Sequence, residues 1–266
     1  MTRYLKKLIY FGFQNYRNKL NLHIYLKLLS MQKLILEITK SLMAVADAQK
    51  AKQMQRFFKT GKGEYGEGDV FIGVSVPQQR AIAKQYQNDC SKTDIIELLD
   101  SPIHEERLTG VFILVDKFKK GIKSNKEQEW VDLYIEKADK MNNWDLVDSS
   151  AHHILGKWLE KRDRKILYEF SKSTSLWKNR IALVSTLHFI RKNDFEDALQ
   201  LCEIALPHKH DLIHKASGWM LKEMYERDPN PTCKFIDTFK KKMPRTMLRY
   251  AIEKMPEPQR KAYLSK

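Results

Sequence analysis

The stretch SPIHEERLTGVFILVDKFKKG, residues 101–121, shows the pattern that decides the fold class. Its large apolar residues recur every three or four positions, and they are Leu108, Phe112, Val115 and Phe118. This spacing places all four on one face of an α-helix. The Ser101-Pro102 pair at its beginning is typical of a helix start.

The same periodicity fills nearly every other window of the chain, and no window gives a convincing strand pattern. We predict that the first helices of successive helix pairs begin near residues 102, 144, 175, 210 and 244. The steps between these starts are about 31 to 42 residues, the range of HEAT and armadillo repeats. Only 10 glycines and 8 prolines interrupt 266 residues, too few for the many turns of an all-β fold. The sequence therefore predicts an all-α, right-handed solenoid of antiparallel helix pairs with a concave face.

The chain is strongly basic. Lys and Arg number 48 against 33 Asp and Glu, which gives a formal net charge of +15. Residues 1–30 contain six of the basic residues and no acidic residue. The excess that remains in the rest of the chain favours a nucleic-acid partner for the concave face. A basic but merely solvated surface stays open as the alternative.

Two segments are predicted from the change in composition near Met31. Either Met31 is the working start, or residues 1–30 are a basic N-terminal leader or extension that is dispensable; a mitochondrial-type presequence is the alternative. Residues 31–266 are predicted to form a single helical-repeat domain. No run of 18 apolar residues occurs, so we expect a soluble, cytoplasmic protein.

The three cysteines, Cys90, Cys202 and Cys233, are odd in number and lack C-x-x-C spacing, which excludes a disulfide framework. We also expect no metal. His208, His210 and His214 straddle a helix start and have no carboxylate partner in a known ligand pattern. Cys202 lies among apolar residues and is predicted to belong to the core.

Five of the ten glycines fall between Gly61 and Gly73. We predict one long, flexible loop here between helical segments. It is not a phosphate-binding loop, because no Gly-Lys-Ser/Thr follows and Glu64, Glu67 and Asp69 would repel a phosphate.

The densest functional pattern is MNNWDLVDSS, residues 141–150. Trp144 and Asp148 are four residues apart, so they share one face of a helix. On spacing alone, a core tryptophan and a solvated or capping aspartate are the favoured explanation of the pattern. Gly218 lies inside a predicted helix at a cost of about 1 kcal/mol relative to Ala, which indicates a close approach of a partner.

Four motifs occur in a distinctive order: NWDLVDS (143–149), LWKNRIA (176–182), HKASGWMLKE (214–223) and MPRTMLRYAIE (243–253). In this order they resemble the AlkD-like DNA alkylation repair proteins, over about residues 45–260. The resemblance implies a solenoid of HEAT-like repeats and a DNA glycosylase that removes N3- and N7-alkylated purines. It implies that Asp148 is the catalytic carboxylate and that Trp144 and Trp219 lie beside the sugar of the lesion. It also implies that Arg180 reaches a backbone phosphate.

The chemistry suits these residue types. An alkylated purine is already cationic and leaves without protonation, and positive charge then develops on the sugar, where a carboxylate stabilises it. The resemblance implies that the base need not be flipped. We expect a monofunctional, monomeric enzyme that acts on duplex DNA without metal or organic cofactor. The remaining DNA-binding candidates are Lys215, Lys222, Arg245 and Arg249. One departure is Asn143, where some members carry a second tryptophan.

Two other functions remain open at this point. One is a non-catalytic helical-repeat protein that binds damaged or branched nucleic acid. The other is a protein-binding scaffold, a common use of helical solenoids.

Overall fold

A computed structural model describes residues 33–265, and within this range the architecture is all-α. The sole β-type contact among these residues is an isolated parallel bridge between Val70 and Ile103. The helices are α1 (33–44), α2 (Ala48–Phe57), α3 (Val76–Tyr86), α4 (Lys92–Leu99), α5 (His104–Ser124), α6 (Gln128–Glu136), α7 (Trp144–Asp148), α8 (Lys165–Ser171), α9 (Leu176–Ser185), α10 (Leu187–Ile190), α11 (Glu196–Ile204), α12 (Asp211–Tyr225), α13 (Pro229–Phe239), α14 (Arg245–Ala251) and α15 (Glu257–Leu264). A π-helical turn, His152–Gly156, follows α7.

The helices stack in chain order. Helices α5, α7, α9, α12 and α14 each pack against the next, and we call them the inner row. The other helices pack on this row from outside: α6 on α5, α8 on α9, and α11 and α13 on α12. Such stacking of successive helix pairs is that of a helical-repeat solenoid. The predicted starts near 144, 175, 210 and 244 agree to within one residue with α7, α9, α12 and α14.

A continuous apolar core runs between the two rows. The four residues that predicted the helix at 101–121 are all buried in it. Cys90 and Cys202 are buried as free thiols, so the core position predicted for Cys202 is confirmed. Burial of apolar side chains along the whole stack is what holds successive pairs together.

Gly218 owes its place to a neighbouring helix of the same chain. A Cβ atom at this position would lie 2.5 Å from the carbonyl oxygen of Met247 and 2.5 Å from Cβ of Tyr250. The close approach predicted from Gly218 is therefore the packing of α14 against α12, and no external partner is needed to explain it.

The glycine-rich loop between α2 and α3 is anchored at its C-terminal end, where the prediction of a flexible segment is wrong. Asp69 is buried. Its Oδ1 accepts a hydrogen bond from Nη2 of Arg107 at 2.6 Å, and its Oδ2 lies 3.1 Å from Nδ1 of His104. His104 contacts Asp145 through its other ring nitrogen at 2.9 Å. These bonds fix the loop between the start of α5 and the start of α7.

The charge of His104 is central to this network. Burial by itself lowers the pKa of the imidazole, but the carboxylates of Asp145 and Asp69 outweigh that effect and raise the pKa to about 9. The ring is fully buried and stacks on Phe71 at a centroid distance of 4.4 Å. At neutral pH an imidazolium therefore joins two carboxylates inside the protein.

The leader predicted over residues 1–30 lies outside the described residues. Within residues 33–265, no helix combines the length and the apolar character that a membrane span requires.

The raised pKa of His104 predicts a pH dependence of stability. Its contribution is fully present below about pH 6.5, the pKa of an unfolded histidine, and is lost as the pH rises through about 9. We expect the free energy of unfolding to fall by about 1–3 kcal/mol across this window, as measured by urea denaturation at a series of pH values. His104→Gln should be less stable near pH 6.5 and should lack this fall. His188→Gln, a histidine outside the network, should keep it. An identical slope in parent and His104→Gln would contradict the prediction.

Candidate active site

A cleft of about 620 Å³ opens along the inner row, opposite the segment that follows α2. It brings together residues from five parts of the chain. Its lining consists of Phe57, Lys59, Tyr65, Trp144, Asp148, Arg180, His210, Asp211, Leu212, Lys215, Trp219, Lys222 and Tyr250. The cleft is large enough for a group of the size of a nucleoside.

Asp148 and Arg180 form a bidentate ion pair in this cleft. Arg180 on α9 donates from Nε to Oδ1 of Asp148 at 2.9 Å and from Nη2 to Oδ2 at 2.8 Å. Its third nitrogen, Nη1, donates to the carbonyl oxygen of Leu212 at 2.6 Å. The Arg180 side chain is only 6% exposed, whereas that of Asp148 keeps 21% of its surface. The arginine thus holds the carboxylate from behind, and the carboxylate faces the cleft.

The electrostatics of Asp148 reflect two opposing effects. Burial raises the pKa of its carboxyl group, and the nearby carboxylate of Asp145 adds to the increase. The charge and the hydrogen bonds of Arg180 act in the opposite direction but do not cancel the effect of burial. The negative charge of Asp148 therefore depends on Arg180.

Trp144 is held by a column of aromatic rings. Its indole stacks on Phe58, with centroids 5.0 Å apart and planes 10° from parallel, and Phe57 meets it edge-on at 5.8 Å. Phe58 stacks in turn on Phe71 at 4.9 Å. Because Phe71 stacks on His104, the column links Trp144 to the buried ion network. Stacked and edge-on rings of this kind restrict one another's rotation.

Asn143 fixes the start of the helix that carries Trp144. Its side-chain oxygen accepts a hydrogen bond from the backbone N–H of Trp144 at 2.9 Å, as the N-cap of α7. Its amide nitrogen lies 3.3 Å from Asp69, so the same side chain also contacts the loop. The residue is completely buried and fixes the first turn of α7.

Trp219 lines the cleft from α12. Its indole nitrogen donates to Glu223 Oε1 at 2.8 Å, one helical turn further on. The ring is half-buried and Tyr250 of α14 lies in the same lining. A satisfied indole N–H leaves the flat face of the ring available to a ligand.

Three of the predicted DNA-binding residues reach the cleft and two do not. Lys215 and Lys222 lie in its wall, where they pair with Asp211 at 2.7 Å and with Glu253 at 3.1 Å. Arg180 lies there too, but its guanidinium is buried against Asp148 and Leu212. That Arg180 contacts a phosphate stays a prediction. The sequence did not indicate that Arg180 binds Asp148. Arg245 and Arg249 are exposed on α14 outside the lining.

Sequence reasoning missed seven residues of the cleft: Phe57, Lys59, Tyr65, His210, Asp211, Leu212 and Tyr250. Tyr250 had a usable signal, because Gly218 indicates that another helix crosses α12 closely. His210 had another, since a polar residue before α12 is a natural helix cap, and its ring accepts from the backbone N–H of Leu212. Phe57 ends α2, and Lys59 and Tyr65 lie in the loop after it, whose path no local pattern reveals.

No cluster of three or more His, Cys, Asp or Glu side chains suited to a metal ion occurs in the described range 33–265. Two of the three histidines around α12 have other contacts: His208 Nε2 lies 3.2 Å from Asn179, and His214 contacts the carbonyl oxygen of His208. His210 lies in the cleft as the cap of α12.

Comparison with known proteins identifies one family. A family model described as DNA alkylation repair enzyme matches residues 38–255. The fold is similar to the structure of a predicted DNA alkylation repair enzyme from Enterococcus faecalis, with a TM-score of 0.64 over 80% of this chain and 97% of that chain. The two sequences are 16% identical, so this likeness is one of fold. No curated protein matches the chain.

The bidentate pair predicts strong coupling between Asp148 and Arg180. Arg180→Met leaves a mostly buried carboxylate without its counter-charge, and we expect it to lower the free energy of unfolding by about 3 kcal/mol. Adding Asp148→Asn should restore part of that loss, with a coupling free energy of at least about 1 kcal/mol in a urea-denaturation cycle. The matched control is the exposed pair Lys178–Asp139, 2.7 Å apart, whose coupling should stay below about 1 kcal/mol. Additive effects of the Asp148 and Arg180 substitutions would contradict this account.

Proposed function

The chain belongs to the DNA alkylation repair enzyme family, and from this premise we propose that it is a monofunctional DNA glycosylase. Its substrates are duplex DNAs that carry cationic N3- or N7-alkylated purines, and its products are the free base and an abasic site. It acts as a cytoplasmic monomer and needs no metal or organic cofactor. The observation that carries this proposal is the Asp148 carboxylate, fixed by Arg180 in a cleft that Trp144 and Trp219 also line.

The leaving group needs little help. When the bond between C1′ of the sugar and the alkylated purine nitrogen breaks, its electron pair moves to the purine and cancels the positive charge there. Positive charge then appears on the sugar ring, as in other glycosyl transfers. A fixed negative charge lowers the energy of that state more than that of the substrate, because the sugar of the substrate is uncharged.

Asp148 supplies this charge. Its carboxylate cannot turn away from the cleft, because both oxygens are held by Arg180. A fixed group does not have to reorganise during the reaction, and this is the condition under which electrostatic stabilisation is strongest. The same carboxylate can orient the water whose oxygen attacks C1′ and whose proton is released.

Trp144 and Trp219 complete the environment of the sugar. Their electron-rich faces attract a developing cation, more weakly than a carboxylate does. Trp144 is fixed by Phe58 and Trp219 by Glu223, so contacts within the protein hold both rings in place. Lys215 and Lys222 lie close enough to neutralise phosphates on either side of the sugar.

The direct experiment is incubation of the protein with a duplex that carries one N7-methylguanine, followed by detection of the free base. We expect release by the parent protein, with Asp148→Asn slower by on the order of a hundredfold in single-turnover rate. Affinity for undamaged duplex should hold or increase in the variant, because a negative charge near phosphates is removed. Asp139→Asn, which changes an acid outside the cleft, is the control and should react like the parent. Equal rates for Asp148→Asn and the parent would refute the role of Asp148, and duplex binding without release by the parent would favour a non-catalytic binder.

A second prediction distinguishes two roles for Trp144 and Trp219, one in excision at the site and one in packing of the apolar core. Trp144→Ala and Trp219→Ala should lower the excision rate per folded molecule at least tenfold. Trp130→Ala is the control, since Trp130 is half-buried on α6 and away from the cleft. Truncation of a buried tryptophan costs about 3–5 kcal/mol, and we expect smaller losses at these half-buried positions. The measurements are the single-turnover rate and the melting temperature. A large loss of melting temperature with unchanged excision would place both rings in the core.

A further inference from the structure

A second cleft, of about 580 Å³, lies at the C-terminal ends of three neighbouring helical segments. These segments are α5, the helical stretch that continues from α7, and α10, which follows α9. Its basic side chains are Lys119, Lys120, Lys123, Lys157 and Arg191, and we call it the basic cleft. It shares no lining residue with the cleft around Asp148.

The basic cleft has an excess of positive charge. Lys120 pairs with Asp116 at 2.6 Å, and Lys157 pairs with Glu160 at 2.6 Å. Lys119, Lys123 and Arg191 are exposed and form no ion pair with any residue between 33 and 265. Three cations that converge on one concavity without acidic partners repel one another, and an anion there would relieve this repulsion.

A buried polar group in the same cleft lacks a partner. His152 is only 8% exposed, and its Nδ1 atom makes no hydrogen bond within the described part of the chain. Burial and the surrounding cations lower the pKa of His152 to about 3 and that of the adjacent His153 to about 4, so both rings are neutral at physiological pH. A neutral imidazole has one N–H to donate. Nδ1 has no accessible surface, so a ligand in the cleft can meet only Nε2, which also makes no hydrogen bond in the described residues. The N–H of Nε2 is suited to an oxyanion.

The two clefts are neighbours on the same helices. Asp148 and His152 are four residues apart in one helical stretch, which corresponds to about 6 Å along its axis. Arg180 and Arg191 are eleven residues apart in the next stretch, about 16 Å. A ligand that fills the first cleft and continues for this distance along these helix axes therefore reaches the level of the basic cleft.

We propose that the basic cleft binds backbone phosphates of the same DNA duplex whose damaged nucleotide occupies the cleft at Asp148. This rests on the proposed function. Lys119, Lys123 and Arg191 neutralise the phosphates, and His152 donates a hydrogen bond to a phosphate oxygen. The exposed position of the three cations suits a long polyanion that lies across them.

The first test replaces the three exposed cations together, as Lys119→Ala/Lys123→Ala/Arg191→Ala. The measurement is the Kd for an undamaged duplex as a function of salt concentration. Each lost phosphate contact reduces the slope of log K against log salt by about 0.9, so we expect the slope to fall by about 2 to 3. At low salt the affinity should drop at least tenfold. The control is Lys165→Ala/Lys172→Ala/Lys234→Ala, three exposed lysines outside both clefts, which should leave the slope unchanged.

The second test isolates the hydrogen bond of His152. His152→Leu keeps an apolar group of similar size but removes the donor, and we expect a several-fold loss of duplex affinity with an unchanged salt slope, because a neutral ring releases no counterion. Equal affinity of His152→Leu and parent, both folded by circular dichroism, would overturn the role given to His152.

The outcomes separate this inference from the proposed function. If the triple variant keeps the parent's salt slope, the basic cleft does not contact the duplex and the inference is wrong. Binding of inorganic phosphate at the cleft together with an unchanged slope would also overturn it, in favour of a small phosphate ligand. At saturating enzyme, the triple variant should excise N7-methylguanine as fast as the parent. If the parent binds duplex with the expected slope but releases no base, the proposed function is wrong, whereas the role of the basic cleft in duplex binding is supported.

Discussion

The buried imidazolium of His104 holds together parts of the chain that are far apart in sequence. One nitrogen contacts Asp69 at the end of the glycine-rich loop, and the other contacts Asp145 in the first turn of α7. Arg107, one turn further along α5, binds the same Asp69. Burial would ordinarily discharge a histidine, so the two carboxylates are what keep it charged. Removal of any member leaves an unpaired charge in the core, and this makes the arrangement strongly interdependent.

The candidate site depends on this network through two routes. Asp145 lies between Trp144 and Asp148 in α7, so its contact with His104 fixes the helix turn that carries both site residues. The aromatic column from His104 through Phe71 and Phe58 fixes the Trp144 ring from the side. Arg180 then completes the site from α9. The cleft is therefore built from polar and aromatic contacts to neighbouring segments, and α7 alone, a helix of five residues, could not provide it.

The sequence predicts the fold well because each helix carries its own apolar period and its own start signal. The starts of α7, α9, α12 and α14 follow from local residues such as Asn143 and Ser175, and no long-range contact is needed to place them. Trp144 and Asp148 could be placed on one face for the same reason. The sequence could not show where the Arg180 side chain points, because whether it binds Asp148 or a phosphate depends on the distance between α7 and α9. The loop was mispredicted because its glycines suggest mobility, whereas Asp69 finds its partners in helices that lie 35 and more residues further along the chain.

In a stack of helix pairs, each pair contacts only its neighbours, and a stack of this kind opens from its ends. The contacts from Asp69 to His104 and Asn143 bridge several elements at once, so they join the loop after α2 to α5 and α7 in addition to the contacts between neighbouring helices. Helices α14 and α15 have no such bridge to α7 in the described part of the chain. Asp148 lies on α7, which these contacts hold directly, while Tyr250 lies on α14, which packs on α12. The two sides of the cleft therefore belong to different parts of the stack, and the distance between Asp148 and Tyr250 is set by how α9 and α12 pack between them.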